Sequence, residues 1–209
     1  MTRPSLRERK AQRTREAIVA AAVELFEEHG YDSTSVAQIA ERAEVGTRTF
    51  FRYFADKEDV LFGGPDADDE VLALIRSSLA PAGASDSPLS AAERSAHAVL
   101  DRLCAQAGLP VRERIVAAAP ALRARQLLKH DRYATVIEAE LAQRHGLPPE
   151  RAALLGRVVL TCAVLAYERW CADPSAAAVG DQLERTLAEA AAVLAPFQRP
   201  SGSRVRPTV

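Results

Sequence analysis

The stretch EVGTRTFFRYF, Glu44 to Phe54, holds three of the chain's six phenylalanines beside Arg48, Arg52 and Tyr53. Arginine's planar fork matches the two major-groove acceptors of guanine. On a helix, at about 100° per residue, Phe50 and Phe54 share one edge. Arg48, Thr49, Arg52 and Tyr53 then occupy the far side. A helix this short is not stable alone, so the phenylalanines must anchor it to a small core and the arginines project from a fixed platform. The chemistry on offer is recognition of a nucleic-acid groove. The plain alternative is a surface helix with solvated arginines.

Other chemistries are poorly supplied. The sequence holds no nucleophile-base-orienter constellation, phosphate loop or glycine elbow, so an enzyme finds no support and no cofactor is implied. No histidine pair has ligand spacing, and the cysteines Cys104, Cys162 and Cys171 are odd in number and scattered. That pattern fits buried thiols in a reducing compartment, with neither a disulfide framework nor a metal site. The basic N-terminus has no apolar stretch behind it, so no signal peptide is expected. The longest uncharged helical run, between Arg157 and Glu168, is ten residues and too short to span a bilayer. A cytoplasmic protein without a membrane partner is expected.

The 209 residues allow one large domain or two small ones, and 48% hydrophobic with 26% charged content suits a globular chain. Net charge is −1, so the distribution matters more than the sum: six basic residues stand between Met1 and Arg15 against one acid, Glu8. Nearly every segment has helical character, and the expected fold is all-α with about nine helices. A first helix runs from about Ser5 to His29, with Ile18, Ala21, Ala22, Leu25 and Phe26 as its apolar stripe. Gly30 caps it, and Tyr31 is placed to fold back on the last turn. Ser35 and Gln38 form a capping box for a second helix. After a break at Glu44–Val45–Gly46 comes the quoted helix, and "DKEDVLF" predicts a fourth from Asp56. The short capped helix, tight turn and following helix have helix-turn-helix spacing, with a basic arm leading in. "GGPDADDE", Gly63 to Glu70, marks the boundary to a second half: Gly-Gly loosens the chain, Pro65 suits the first position of a new helix, and the acids after it suit that helix's N-terminal dipole. There, helices are expected at about Leu89–Ala107, Val111–Ala118, Ala121–His145, Pro149–Ala172 and Ser175–Leu194. The last residues read as a disordered tail.

Ile18 to Phe62 resembles the TetR family of bacterial transcriptional regulators. The shared pattern includes Phe-x-x-x-Gly-Tyr, Thr-Ser-Val, Ile-Ala, Ala-x-Val, the Thr-x-Phe-x-Tyr-Phe-type run and Lys-Glu-x-Leu-type ending. The resemblance implies a three-helix DNA-binding domain over 1–62, a ligand-binding and dimerisation domain over 63–196 and a tail over 197–209. It implies a homodimer on a pseudo-palindromic double-stranded operator, released by a small-molecule effector. By position, Thr47, Arg48 and Arg52 are groove or base-edge contacts, and Thr49, Tyr53 and Lys57 are phosphate contacts. Thr34 and Ser35 also face phosphate, although Ser35 as a cap alone and Tyr53 as partly core remain open. Phe51 replaces a common tyrosine and offers only packing or a thymine-methyl contact. Glu44 replaces a common glycine and is strained if left-handed. A helical adaptor without sequence-specific DNA binding is the alternative.

In the second half, "VVLTCAVLAY" is apolar almost all round and needs cover on several sides. Leu155, Val158, Val159 and Cys162, with Leu183, Leu187, Ala190 and Leu194 of the last helix, are the expected dimer interface; a monomer core is the alternative. Effector-pocket candidates are Leu100, Leu103, Cys104, Leu128, Tyr133, Val136, Ile137, Thr161 and Tyr167. The segment Ala119 to Gly146 resembles regulators that sense acyl-CoA-like ligands, which implies a lipophilic effector with an anionic head group. Arg123, Arg125 and Lys129 are its candidate partners, or else a solvated helix face.

Overall fold

Glycines at positive φ and reciprocal side-chain caps punctuate the chain, and they set where its helices start and stop. The computed structural model describes residues 5–64, 66–83, 86–106 and 108–195. Among these residues there are helices only: α1 (Leu6–His29), α2 (Val36–Arg42), α3 (Thr47–Tyr53), α4 (Ala67–Ser78), α5 (Pro88–Cys104), α6 (Leu109–Ala118), α7 (Pro120–His145), α8 (Pro149–Ala172) and α9 (Val179–Leu194). The expected tail over 197–209 lies outside the described residues, as do Met1 to Pro4. No helix among the described residues is long and apolar enough to cross a membrane.

The capping box is present: the Gln38 N–H donates to Ser35 Oγ at 3.3 Å, and the Ser35 N–H donates to Gln38 Oε1 at 2.8 Å. Gly30 takes φ 82° at the end of α1, and Tyr31 folds back so that its ring lies 5.4 Å from that of Phe26. Glu44 does adopt a left-handed φ of 54°, the region glycine occupies freely.

The fourth helix expected at Asp56 is absent as a helix. Residues 55–63 form successive turns, and α4 begins at Ala67. Asp56 accepts the Asp59 N–H at 2.7 Å and Asp59 accepts the Ala55 N–H at 2.9 Å, so both acids are spent inside the turns. Gly63 and Gly64, at φ 89° and 88°, then end the segment before it can extend. Ser175 likewise starts no helix: its N–H and hydroxyl bond the Asp173 carboxylate, and α9 begins at Val179.

The apolar cores follow from the stripes. Ile18, Ala22, Phe26, Ile39, Phe50, Phe54 and Val60 pack together, and Ile115, Val116, Ala119 and Leu122 join them. The core of the first three helices therefore does not stop at residue 62 but continues into α6 and α7. A second core joins α4, α5, α7 and α8 through Leu72, Leu79, Ala92, Leu141 and Val159, and a third places Cys162, Ala166 and Leu183 between α8 and α9.

This arrangement corrects part of the expected dimer surface. Helix α8 is covered by α5, α6, α7 and α9 of its own chain, which is why it can be apolar nearly all round. Val159, Cys162 and Leu183 are buried within the chain and are not available to a partner. Leu155, Val158, Leu187 and Ala190 are half-buried at the core's edge. The Leu194 side chain lies outside what is described.

Candidate nucleic-acid interface and ligand cavity

Helix α3 is built as a platform. Phe50 and Phe54 are 0% and 1% exposed, with ring centroids 5.7 Å apart. Arg48 and Arg52 are exposed on the opposite side, Thr47 is exposed at the start of the helix, and Thr49 and Tyr53 are half-buried. The Arg52 guanidinium lies over the Tyr53 ring at 5.0 Å, which orders it without consuming its donors. Phe51 is 57% exposed, and its ring meets that of Phe50 edge-on at 5.5 Å. Ser35 is exposed at the start of α2, where its hydroxyl serves the cap.

Two expected phosphate contacts face inward instead. Thr34 is 2% exposed, and its hydroxyl reaches the carbonyls of Gly30 at 2.9 Å and Leu25 at 3.2 Å. Lys57 donates to the carbonyls of Tyr31 at 2.8 Å and Thr34 at 2.9 Å, with its ammonium 4.2 Å from the Tyr31 ring centroid. The loop between α1 and α2 has carbonyls without helical partners, and a cation arriving from the turns satisfies two of them. Tyr31 completes the joint by donating to Glu58 Oε1 at 2.9 Å. Burial first, and Glu58 second, push its phenol up, so it stays a donor.

A cavity of about 960 Å³ lies among α1 and α4 to α8. Its walls are mostly aliphatic, from Val19, Val71, Ile75, Val99, Val116, Val159 and Leu160, with Phe54, Phe62, Tyr133 and Tyr167 as aromatic sides. Of the expected pocket residues, Leu100, Leu103, Tyr133, Ile137 and Tyr167 line it. Leu128 does not: it is 71% exposed on the outer face of α7. Thr161 is exposed and returns its hydroxyl to the Arg157 carbonyl at 2.8 Å. Val136 and Cys104 are half-buried but packed into the second and third cores, away from the cavity wall.

The three basic candidates separate as well. Arg123 is exposed. Arg125 turns to Asp56, Glu58 and Asp59. Lys129 lines the cavity but pairs with Asp68 at 2.8 Å, and both Arg125 and Lys129 lie over the Phe62 ring. Residues one turn apart on α7 thus face the turns and the start of α4, a placement that helical spacing alone cannot distinguish from a solvated face.

Polar and charged groups interrupt the apolar walls. Tyr133 donates to Asp68 at 3.0 Å, and burial pushes its phenol up, as it does that of Tyr167. Gln126 donates to both oxygens of Glu113 at 3.1 Å. Burial, then the neighbouring Lys129, lower the His130 imidazole below its usual range, so it is neutral at pH 7. Arg112 is 6% exposed, and its Nη2 donates to Gln106 Oε1 at 3.3 Å. Arg112 was invisible as a site residue by motif, yet it stands in register with Ile115, Val116 and Ala119, inside the apolar stripe of α6. A cation in such a stripe is the signal that finds it.

Comparison with known proteins places both halves. Residues 18–62 match the family model described as bacterial regulatory proteins, tetR family, and residues 89–195 match that of the MftR C-terminal domain. The chain is 46% identical over 100 residues to the HTH-type transcriptional regulator TcmR of Streptomyces glaucescens, covering 48% of this chain and 43% of that protein. It is 48% identical over 48 residues to the HTH-type transcriptional regulator HbdR of Aromatoleum sp. (strain CIB), covering 23% of this chain and 21% of that protein. The matches thus span less than half the length of these curated relatives. A solved TetR-family regulator from Syntrophomonas wolfei superposes with TM-score 0.61 at 19% identity, covering 91% of this chain and 99% of that one. The fatty acid degradation regulator FadR from Bacillus halodurans does so with TM-score 0.56 at 19% identity, covering 82% and 94%. At these identities the two structures share the fold.

Proposed function

The chain belongs to the TetR family of bacterial regulatory proteins, and we propose that it is a cytoplasmic, ligand-responsive transcriptional repressor acting as a homodimer on a pseudo-palindromic operator. The observation that carries this is α3 itself. Phe50 and the capping Phe54 are buried, while Arg48 and Arg52 are exposed on the side facing away from the core. A helix presented this way fits the major groove, where arginine reads guanine, while Thr49, Tyr53 and the start of α2 hold phosphates. Two copies would set two such helices about one DNA turn apart.

The effector would enter the cavity among α4 to α8, which suits a lipophilic compound, an acyl thioester being one class. The surfaces available for pairing are the exposed stripe of α8 with Leu154, Thr161 and Leu165, and Val193 with its alanine neighbours on α9. The proposed division follows: a DNA-binding unit over 1–62 and a sensing and dimerising unit over 63–196.

The test is selection of genomic fragments on the purified protein, followed by anisotropy titration of the enriched site against salt. A palindromic consensus bound with a steep salt slope is expected. Enrichment of no sequence, with capture of protein partners instead, would favour the helical adaptor.

A further inference from the structure

We infer that an occupant of the cavity acts on α3 directly, through the contact between Arg15 of α1 and Phe54; the inference rests on the cavity being the effector site and α3 the DNA-reading helix. Helix α1 is a partition. Its stripe of Ile18, Ala22 and Phe26 packs into the core that holds Phe50 and Phe54. A second face, stepping through Arg15, Val19 and Val23, lines the cavity. The lining includes exposed residues on α1, at Gln12, Glu16 and Ala20, and on α4 and α5, at Glu70 and Arg102. The cavity therefore opens at the seam between α1 and the helices that follow α3.

Phe54 belongs to both sides of the partition. It caps the end of α3, where its N–H donates to the Phe50 carbonyl at 3.0 Å, and it lines the cavity while 1% exposed. The Arg15 guanidinium lies over its ring at 5.6 Å and donates to the Gly63 carbonyl at 3.1 Å. Gly64 is fitted against the same pair: at its φ of 88°, a Cβ would stand 3.2 Å from Arg15 Nη1 and 3.4 Å from the Phe54 ring. One side chain of α1 thus ties the end of α3 to the turn that leads into α4. An apolar occupant strips water from this half-buried guanidinium. Both of these contacts are with neutral groups, which offset a desolvated charge poorly. Arg15 then swings toward the open seam, where Glu16 and Glu70 are exposed, and the occupant takes its place on the Phe54 ring. Phe54 and Gly63 lose their common tie, and with it α3 loses part of the anchor that holds it in place.

The experiment titrates Nile red, a neutral lipophilic fluorophore, into the full chain, free and saturated with the operator duplex obtained by genomic selection. The ratio of the two affinities is the coupling between cavity and DNA, and wild type should bind the dye about 5- to 150-fold more weakly on DNA. Arg15→Met keeps the stem, removes the guanidinium and should abolish the difference. Arg15→Lys can still donate to Gly63 but stacks less well, and should keep part of it. Amide hydrogen exchange reads the same contact without DNA. Nile red should speed exchange of the Phe54 and Gly64 amides in wild type and leave them unchanged in Arg15→Met. Full coupling in Arg15→Met, or dye binding to wild type that leaves both amides unchanged, overturns the inference and leaves the cavity as a ligand site. Dye that does not bind the free chain overturns both. If no operator is enriched, the DNA-binding reading fails while the exchange measurement still decides the contact between cavity and Phe54. If Arg15→Met does not fold, Arg15→Lys and wild-type exchange decide.

Discussion

Arg125 of α7 is bonded to Asp59 of the turns that follow α3, so a helix that walls the cavity shares an ion pair with the base of the unit that carries α3. The same guanidinium reaches Glu58 at 3.1 Å and Asp56 at 3.3 Å. One turn along, Lys129 pairs with Asp68 at the head of α4. Both cations sit over Phe62, whose other surroundings include the cavity. Any displacement of α7 by an occupant would therefore be felt at residues 56–62.

Arg125→Gln tests that joint. Asp59 is 5% exposed, and losing its cation leaves a buried carboxylate that accepts the Ala55 N–H. Breaking a buried pair costs about 3–5 kcal/mol, and the one-third exposure of Arg125 reduces the expected loss to about 2 kcal/mol. Urea denaturation measures it. Effector-induced release of DNA should weaken more than DNA affinity without effector. A variant that melts and responds like wild type would show that the ion pair transmits nothing.

The dimer prediction moves with the structure. Leu165 is 41% exposed and in register with Leu154, Val158 and Thr161 on one face of α8. Leu165→Glu should leave the monomer's melting within about 0.5 kcal/mol of wild type, as surface substitutions do, while splitting the dimer. Sedimentation of a dimeric Leu165→Glu at micromolar concentration would exclude this face as the interface.

Asp86 sets an acid-side dependence. The Arg94 fork, with bonds of 3.1 and 2.7 Å, and then the Ala82 N–H hold its carboxyl down to about 2. Because its folded value lies below the usual 3.8, the contribution is present above that value and is lost as pH falls through the folded one. Asp86→Asn should therefore flatten the fall in melting temperature between about pH 4 and pH 2. Scanning calorimetry across that window reads it, and parallel curves would show the Arg94 pair contributes nothing to folding.

Much of the first sixty residues is legible in sequence because local rules decide them. The Ser35–Gln38 box, the Gly30 stop with Tyr31 folding back, and the Phe50/Phe54 edge each follow from spacing within a few residues. What failed there depended on partners far along the chain. Lys57 turns inward because carbonyls near residue 31 lie beside it, and the Asp56 turns stop short because paired acids and two left-handed glycines intervene. The cavity is harder still. Its walls come from six helices, and an apolar residue facing a void has the same sequence signature as one facing another side chain. Leu128 and Ile137 look alike by composition and differ only in which way α7 is rolled. Helix α8 misled for a related reason: an apolar surface all round requires cover, and its own chain supplies most of it.

Arg48 and Lys57 should separate recognition from scaffolding. Arg48 is exposed on the side of α3 away from the buried phenylalanines. Arg48→Ala should leave stability within about 0.5 kcal/mol and relax base preference at one position in each half-site, since a good arginine–guanine pair is worth about 1–3 kcal/mol of discrimination. Lys57→Met keeps the stem but removes the ammonium that serves the Tyr31 and Thr34 carbonyls. Those bonds hold the loop that enters α2, so this variant should lose about 1–3 kcal/mol of stability. It should weaken all operators alike through a misplaced helix pair, with the base profile intact. Melting curves and a panel of single-base operator variants at two salt concentrations distinguish the outcomes. A Lys57→Met protein that melts like wild type yet loses about one from its salt slope per half-site would make Lys57 a phosphate contact that swings outward on DNA. An Arg48→Ala protein that loses affinity uniformly would put Arg48 on the backbone and leave guanine reading, if any, to Arg52.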